Sequence, residues 1–356
     1  MRRGLRAVAA AMFLFCMEAS AGPGLDSLLR GKYLDMHCHT AGIGAGGSGC
    51  FASPEFRKSY KYPIYLHAFG VKEKELLDSG DALILARISR KLAASQYVGT
   101  AVILALDGVY DSAGRLDTAK TQIYIPNAFV ARETRKYPNL LFGASINPKR
   151  ADALAELDRA KADGAVLVKW LPSIMDFDPA DSAFIPFYEK LKELGLPLLS
   201  HTGTENSFLR AKDSLCDPMR LELPLKLGVT VIAAHVGTPG KSHGEANVER
   251  ALRLLGRYPN LYADVSSLTQ INKLTLLAKI LPRPEARGKL LFGTDFPLTE
   301  TPLVSSWYYA YKLPLGKVRA IAGLENSWDR DVELKKALGM QEDVFTRSAA
   351  LLLKKP

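Results

Sequence analysis

The stretch Asp35-Met36-His37-Cys38-His39-Thr40 decides how this chain is read. It follows the apolar pair Tyr33-Leu34 and runs into a glycine-rich loop, the pattern of a short buried strand that ends at the mouth of a cavity. Side chains alternate along a strand, so His37 and His39 share one face, about 7 Å apart, and Cys38 takes the other. Two imidazoles on one face can converge on one metal ion, and borderline metals such as zinc favour such ligands. From His-x-His alone, two polar side chains satisfied by local hydrogen bonds read equally well. Its company further along tips the balance.

Downstream of residue 70 the pattern becomes regular. Helical spacing over 72–94 leads to the apolar run 97–106, as expected for a strand buried on both faces. The alternation repeats: helices near 120–137, 150–162, 181–194, 217–227, 247–257 and 271–281 lead to strands near 140–146, 164–170, 197–202, 229–235, 261–266 and 289–295. With the first strand, at about 33–40, that makes eight short apolar strands separated by helices, which implies parallel pairing and a (β/α)8 TIM barrel. A doubly wound open sheet is the alternative, but no glycine fingerprint for phosphates follows an early strand. Two features exceed the minimal barrel. One is a long loop insertion after strand 1, over 41–70, glycine-rich at first and then carrying Tyr60, Tyr62, Tyr65 and His67. A loop of that length is usually functional, for example a lid, and the competing reading is a mobile surface excursion. The other is the tail 302–356, whose extra C-terminal helices, including one over 342–353, complete the outer ring and cover one end.

In a barrel the catalytic groups stand at the carboxyl ends of the strands. There the sequence places His37 and His39 on the first strand, Lys169 on the fourth, His201 on the fifth, His235 on the sixth and Asp295 on the eighth. Four of the six histidines of the chain therefore fall at strand ends. Read as plain structure, Asp295 would cap the segment that follows it and His235 would be a hydrogen-bonded core histidine.

Four segments carry a resemblance: Asp35-Met36-His37-Cys38-His39, Pro197-Leu198-Leu199-Ser200-His201-Thr202-Gly203, Ile232-Ala233-Ala234-His235-Val236-Gly237 and Leu291-Phe292-Gly293-Thr294-Asp295-Phe296-Pro297. Over about residues 33–353 the chain resembles the amidohydrolase superfamily of metal-dependent barrels. It is most similar to the amidohydrolase-related subgroup that includes aminocarboxymuconate-semialdehyde decarboxylase. The resemblance implies metal ligation by His37, His39, His201 and Asp295 and a catalytic role for His235. Asp295 would both touch the metal and take the proton of a metal-activated water. It implies one divalent ion, with zinc expected and manganese or iron open. Lys169 has three readings: a carbamylated bridge to a second metal, a charge partner for an anionic substrate, or a structural ion pair. Glu205 and Arg210, just after strand five, are candidate substrate contacts.

Three functions follow as expectations: a metal-dependent hydrolase of a small-molecule C–O or C–N bond, a non-oxidative decarboxylase of an aromatic or unsaturated carboxylate, and an envelope protein that binds metal or ligand without turnover. The hydrolase is favoured.

Composition bounds these readings. The 356 residues are 24% charged and 47% hydrophobic, which is globular and suits one large barrel domain over 22–356. The start, with Arg2, Arg3 and Arg6, an apolar run over 7–16 and Ala19-Ser20-Ala21, reads as a secretory signal cleaved after Ala21, with an uncleaved anchor as the alternative. Export to the periplasm or beyond is expected, with no integral membrane segment after cleavage. The formal charge of +10 falls to about +8 without the leader. The remaining Lys and Arg form no basic block, so a small-molecule substrate is expected and nucleic acid is not. Homo-oligomerisation is open. Cys38, Cys50 and Cys216 are an odd set, which argues against a disulfide framework. A Cys38–Cys50 bridge is one option, and Cys38 packed as a small apolar side chain is the favoured one.

Overall fold

The structure, a computed structural model, describes residues 31–353. The leader expected over 1–21 lies outside the described residues. Eight parallel strands form one sheet in chain order: β1 (Tyr33–His39), β2 (Val98–Leu104), β3 (Leu140–Ser145), β4 (Val168–Trp170), β5 (Leu198–Ser200), β6 (Val231–Ala233), β7 (Leu261–Asp264) and β8 (Leu290–Leu291). The ring closes where the chain beyond β8 meets β1. There Asp295 N donates to His37 O at 2.9 Å and His39 N donates to Phe296 O at 2.8 Å. The eight-stranded (β/α)8 barrel expected from the alternating pattern is therefore present.

Two apolar layers hold it. Between the strands and the outer helices runs a large cluster that includes Cys38, Ile103, Phe142, Trp170, Val231 and Leu255. Inside the barrel a smaller cluster joins Leu34, Met36, Val102, Leu104, Leu167, Leu199, Ile232, Ala234 and Leu291. The C-terminal helix (Glu342–Leu352) plugs the end where β1 begins: Phe345 stacks on Tyr33 at 4.9 Å between ring centroids, and Leu351–Leu353 pack on the interior cluster.

The interior cluster explains how the site residues are aimed. On β4 and β5 the period of two carries Leu167 to Lys169 and Leu199 to His201 on the inner face. From Leu291 the same parity reaches Asp295. Strand β1 breaks the rule. Leu34 and Met36 already face inward, so strict alternation would send His37 out. The pairing with β2 jumps from Asp35↔Ala101 to Cys38↔Ile103, one extra residue on β1. This bulge re-aims the chain so that His37 and His39 also face the interior, while Asp35 turns outward to bond Trp328.

The segment after β1 is ordered. It contains a 3-10 turn (Ala45–Gly47), a two-residue strand (Phe51–Ala52) paired with Ile123–Tyr124, and helices at Pro54–Arg57 and Lys61–Ala68. The expected helix over 72–94 is two helices, Glu73–Ser79 and Ala82–Ala93, interrupted at Gly80, whose φ is 82°. The break plants the buried Asp81, which accepts hydrogen bonds from Ile43 N at 3.0 Å, Gly44 N at 2.9 Å and Ser48 Oγ at 2.5 Å. The glycines let this loop lie close: a Cβ on Gly42 would come within 2.5 Å of Cys50 Cβ. The insertion is thus a pinned cover rather than a loose excursion. Cys38, Cys50 and Cys216 are all free and buried, so the Cys38–Cys50 bridge does not form. Among the described residues no helix is long and apolar enough to cross a membrane.

The closure seam offers a direct test. A Cβ on Gly293 would meet His37 Cβ at 2.8 Å and Ser266 Cβ at 3.4 Å. Gly293→Ala is expected to lower the denaturant midpoint by an amount equivalent to about 1–3 kcal/mol, the usual cost of overpacking. A midpoint unchanged in chemical denaturation would show that the seam is looser than described.

Candidate metal centre

The carboxyl ends of the strands bring the polar residues together. His37 and His39 stand on β1, Lys169 on β4, His201 follows β5, His235 follows β6, Asp264 ends β7 and Asp295 follows β8. His37 Nε2 lies 3.2 Å from His39 Nε2 and 3.5 Å from Asp295 Oδ1, and His39 Nε2 is 3.2 Å from the same oxygen. A tetrahedral ion bound at about 2.0–2.1 Å separates its ligands by roughly 3.4 Å, so this triangle has the size that such an ion requires. His235 Nε2 is 4.0 Å from Asp295 Oδ2. His37, His235 and Asp295 form a fully buried group whose donor atoms lie within 4.8 Å of one another. The two triads share His37 and Asp295. The His37–His39–Asp295 triangle has the tighter edges and the better fit.

His201 Nε2 is buried and has no hydrogen-bond partner. Glu205 Oε2 is the nearest carboxylate oxygen, at 3.6 Å, and the imidazole ring packs against His235 with centroids 5.1 Å apart. A buried lone-pair donor left without a proton to accept is costly unless something electropositive meets it. Taken with the triangle, it makes the donor set fit a divalent ion.

The imidazole tautomers follow from the partners. His37 Nδ1 sits 2.8 Å from Asp264 Oδ2, so that nitrogen carries the proton and Nε2 keeps its lone pair toward the centre. Burial, helped by the Lys169 charge, pushes His37 down to about 4, which leaves it neutral at ordinary pH. Burial likewise lowers His201 and takes His235 well below the usual histidine value. Burial alone would raise Asp264, but His37 and the backbone amide of His235 hold it well below the usual carboxylate range. Asp295 is held low by His235, His37 and His39 against the same burial. Burial thus favours the neutral form of His37, His201 and His235, the form in which an imidazole binds a metal. Asp35, further back, is raised to about 6 by burial.

Lys169 lies inside the cluster, 1% exposed, with Nζ 3.0 Å from His37 Nε2. Trp170, the next residue, faces the outer layer and packs on Phe177 at 4.7 Å. Glu205, a candidate substrate contact, lies beside His201, with Oε2 3.6 Å from Nε2. Arg210 is not: its guanidinium is exposed and pairs with Glu55 at 3.1 Å on the cover segment. Sequence reasoning missed Asp264, Ser266 and Lys273. Asp264 ends an apolar strand in the same way as the histidines do, and that position was a usable signal. Ser266 and Lys273 gave none.

Comparison with known proteins places this geometry. The family model described as Amidohydrolase matches residues 34–324. No curated protein matches the chain. Among solved structures, an uncharacterized TIM-barrel protein from Bordetella bronchiseptica is 18% identical, with 90% of this chain and 98% of that one covered and a TM-score of 0.57. A protein assigned as a 2-pyrone-4,6-dicarboxylic acid hydrolase from Pseudomonas putida is 16% identical, with 91% and 98% covered and a TM-score of 0.51. A 2,6-dihydroxybenzoate decarboxylase from Rhizobium is 13% identical, with 90% and 98% covered and a TM-score of 0.52. At these identities the likeness is one of fold.

Asp264 reaches the centre through His37, the Ser266 hydroxyl and the backbone. Asp264→Asn is expected to weaken divalent-ion retention about 10–100-fold, as loss of a carboxylate behind a ligating histidine does. Equilibrium dialysis against zinc measures it, and retention equal to the parent protein would remove Asp264 from this role.

Proposed function

The chain belongs to the amidohydrolase family, and from that premise we propose that it is a metal-dependent hydrolase of a C–O or C–N bond in a small molecule. One observation carries the reading. The two oxygens of Asp295 face different partners: Oδ1 faces His37 and His39, and Oδ2 faces His235. One carboxylate can then hold an ion through one oxygen and accept a proton through the other. His37, His39, His201 and Asp295 would hold the ion, which supplies a Lewis acid and a more acidic water when bound.

The remaining work falls to the chain. Asp295 Oδ2 takes the proton of the attacking water and passes it to the leaving oxygen or nitrogen. His235 is fixed with Nδ1 protonated, because that nitrogen points at the carbonyl oxygen of Ser266 at 3.2 Å. Its Nε2 therefore faces the reacting centre as an acceptor and orients the water. Lys169, desolvated and lowered from the usual lysine value, adds a positive field beside His37.

A second reading has its own support. Two buried lysines, Lys169 and Lys273, sit at the mouth, and a carboxylate substrate would suit them. Loss of that carboxylate as CO2 would make the protein a decarboxylase, as the Rhizobium neighbour is.

Purified protein is expected to hold close to one equivalent of a divalent ion by elemental analysis and to hydrolyse members of an ester, lactone and amide panel. His235→Asn is expected to cut turnover about 10²–10³-fold, the range for losing one preorganised polar group at the reacting centre, while keeping its metal. Stoichiometric CO2 release from an aromatic acid, with no hydrolysis of the panel, would replace this reading with the second one.

A further inference from the structure

Large apolar side chains left open to water gather on one part of the surface. Nine are exposed among the described residues, and five of them, Ile271, Leu303, Trp307, Tyr311 and Leu315, lie in the two segments that follow β7 and β8. Ile271 N donates to Leu303 O at 2.9 Å and joins those segments. The Tyr308 hydroxyl donates to Pro302 O, and Ser306 Oγ donates to Val318 O at 2.9 Å. The turn Ser306–Tyr309 is thereby folded back on residue 302 and fixed to the helix Leu315–Ala322. Tyr311 stacks on the buried Tyr309 with centroids 6.4 Å apart. Both segments leave the carboxyl ends of their strands, so the patch borders the mouth of the barrel. A single exposed apolar residue is ordinary, whereas a cluster of them marks a contact surface.

The charge around the patch has one sign. From 301 to 324 the chain carries Lys312, Lys317 and Arg319 and no Asp or Glu. From 265 to 282 it carries Lys273 and Lys279 and again no acid. Lys317 is answered by Glu333 at 2.6 Å. Lys312 and Arg319 are exposed, and among the described residues neither has a carboxylate within 4.0 Å. In the helix Leu315–Ala322, Leu315 and Arg319 are four residues apart and share the outer face, while Val318 and Ile321 turn inward. Apolar and cationic side chains therefore alternate along the same rim.

We propose that this rim is a membrane-docking surface, and that its occupant is the face of a bilayer rich in anionic lipid. Indole and phenol rings settle between headgroups and hydrocarbon, because each has an apolar body and a polar tip. Ile271, Leu303 and Leu315 supply aliphatic surface for the acyl boundary, and Lys312 and Arg319 meet the headgroup charge. A second copy of the chain fits less well. Two-fold pairing would set the patch against itself and bring the Lys312 and Arg319 charges of both copies together with no acid to offset them. Docking of this kind does not depend on which bond the barrel breaks.

Trp307 is a built-in probe. It is 49% exposed, whereas Trp170 and Trp328, the other two tryptophans, are 0% and 1% exposed. The full chain is mixed with vesicles of phosphatidylcholine alone or of phosphatidylcholine with phosphatidylglycerol, and tryptophan emission and acrylamide quenching are read beside sedimentation. With phosphatidylglycerol present, emission is expected to shift to shorter wavelength and quenching to fall, and raising the salt from about 0.1 to 1 M is expected to reverse both. Leu303→Asn/Leu315→Asn and Lys312→Glu/Arg319→Glu are each expected to lower vesicle affinity about tenfold or more at an unchanged melting temperature. The parent chain carries the test by itself should either variant fold poorly. Absence of vesicle binding overturns the proposal, as does binding that leaves Trp307 as open to acrylamide as in solution. Binding indifferent to phosphatidylglycerol and to the charge reversal overturns it too. Shielding of Trp307 that follows protein concentration without lipid would make the patch an interface between copies instead.

Discussion

The buried carboxylate of Asp264 holds the mouth of the barrel together. Nothing of it reaches solvent, and an ion in that position is expensive unless every lone pair is met. It accepts from His37 Nδ1 at 2.8 Å, from His235 N at 2.9 Å and from Ser266 N at 3.1 Å, with the Ser266 hydroxyl as a fourth donor. Three strand ends, those of β1, β6 and β7, are tied to one anion. By taking the His37 Nδ1 proton it also decides which nitrogen faces the centre. The tautomer, the ring orientation and the closeness of His37 to His39 and Asp295 all follow from it.

Aiming the ring of donors requires local departures from regular strand geometry. On β4 and β5 the period of two suffices, and Lys169 and His201 follow Leu167 and Leu199 inward. On β1 the bulge between Asp35 and Cys38 resets the parity. At β6, Ile232 and Ala234 face the interior, so regular alternation would turn His235 away. Left-handed φ angles of 60° at His235 and 52° at Val236 bring it back. Asp295, at 65°, and Ser267, at 56°, share that conformation. Non-glycine residues cost energy there, and all four border the same mouth. The strain is tolerated because the neighbouring bonds, such as Thr238 Oγ1 to His235 O at 2.8 Å, over-determine each turn.

This division explains what the sequence displayed and what it hid. Apolar runs such as Val98–Leu104 announce a buried strand because burial on both faces leaves no polar position. The eight repeats of that pattern made the barrel legible. His37, His39, His201, His235 and Asp295 were legible as a group because each closes such a run. The true strand lengths were not: β8 pairs over only Leu290–Leu291, where the apolar pattern suggested 289–295. The break at Gly80 was masked by the apolar residues Leu76, Leu77, Leu83 and Ile84 on either side of it. Its purpose, holding the 42–48 loop through Asp81, depends on contacts between residues some forty positions apart. Lys273 and Ser266 were hidden for a related reason. Lys273 ends no apolar run, Ser266 is a common residue at the end of one, and only the fold brings them to His235.

The polar mouth is stable because the opposite half of the barrel carries little polar chemistry. Leu34, Met36, Val102, Leu104, Leu167, Leu199, Ile232 and Leu291 fill the interior, and the C-terminal helix seals that end with Leu351, Leu352 and Leu353. Apolar burial is non-directional and tolerates exchange among similar volumes, whereas the hydrogen-bonded ions at the mouth tolerate almost none. The two halves meet at a single layer, where Leu167, Leu199 and Leu291 give way to Lys169, His201 and Asp295 along the same inner faces. Sites that share no partners usually contribute independently. A change in the lower layer acts on the stability of the barrel and a change in the mouth acts on what the barrel can hold, although only two to four positions along each strand separate the two kinds of interaction.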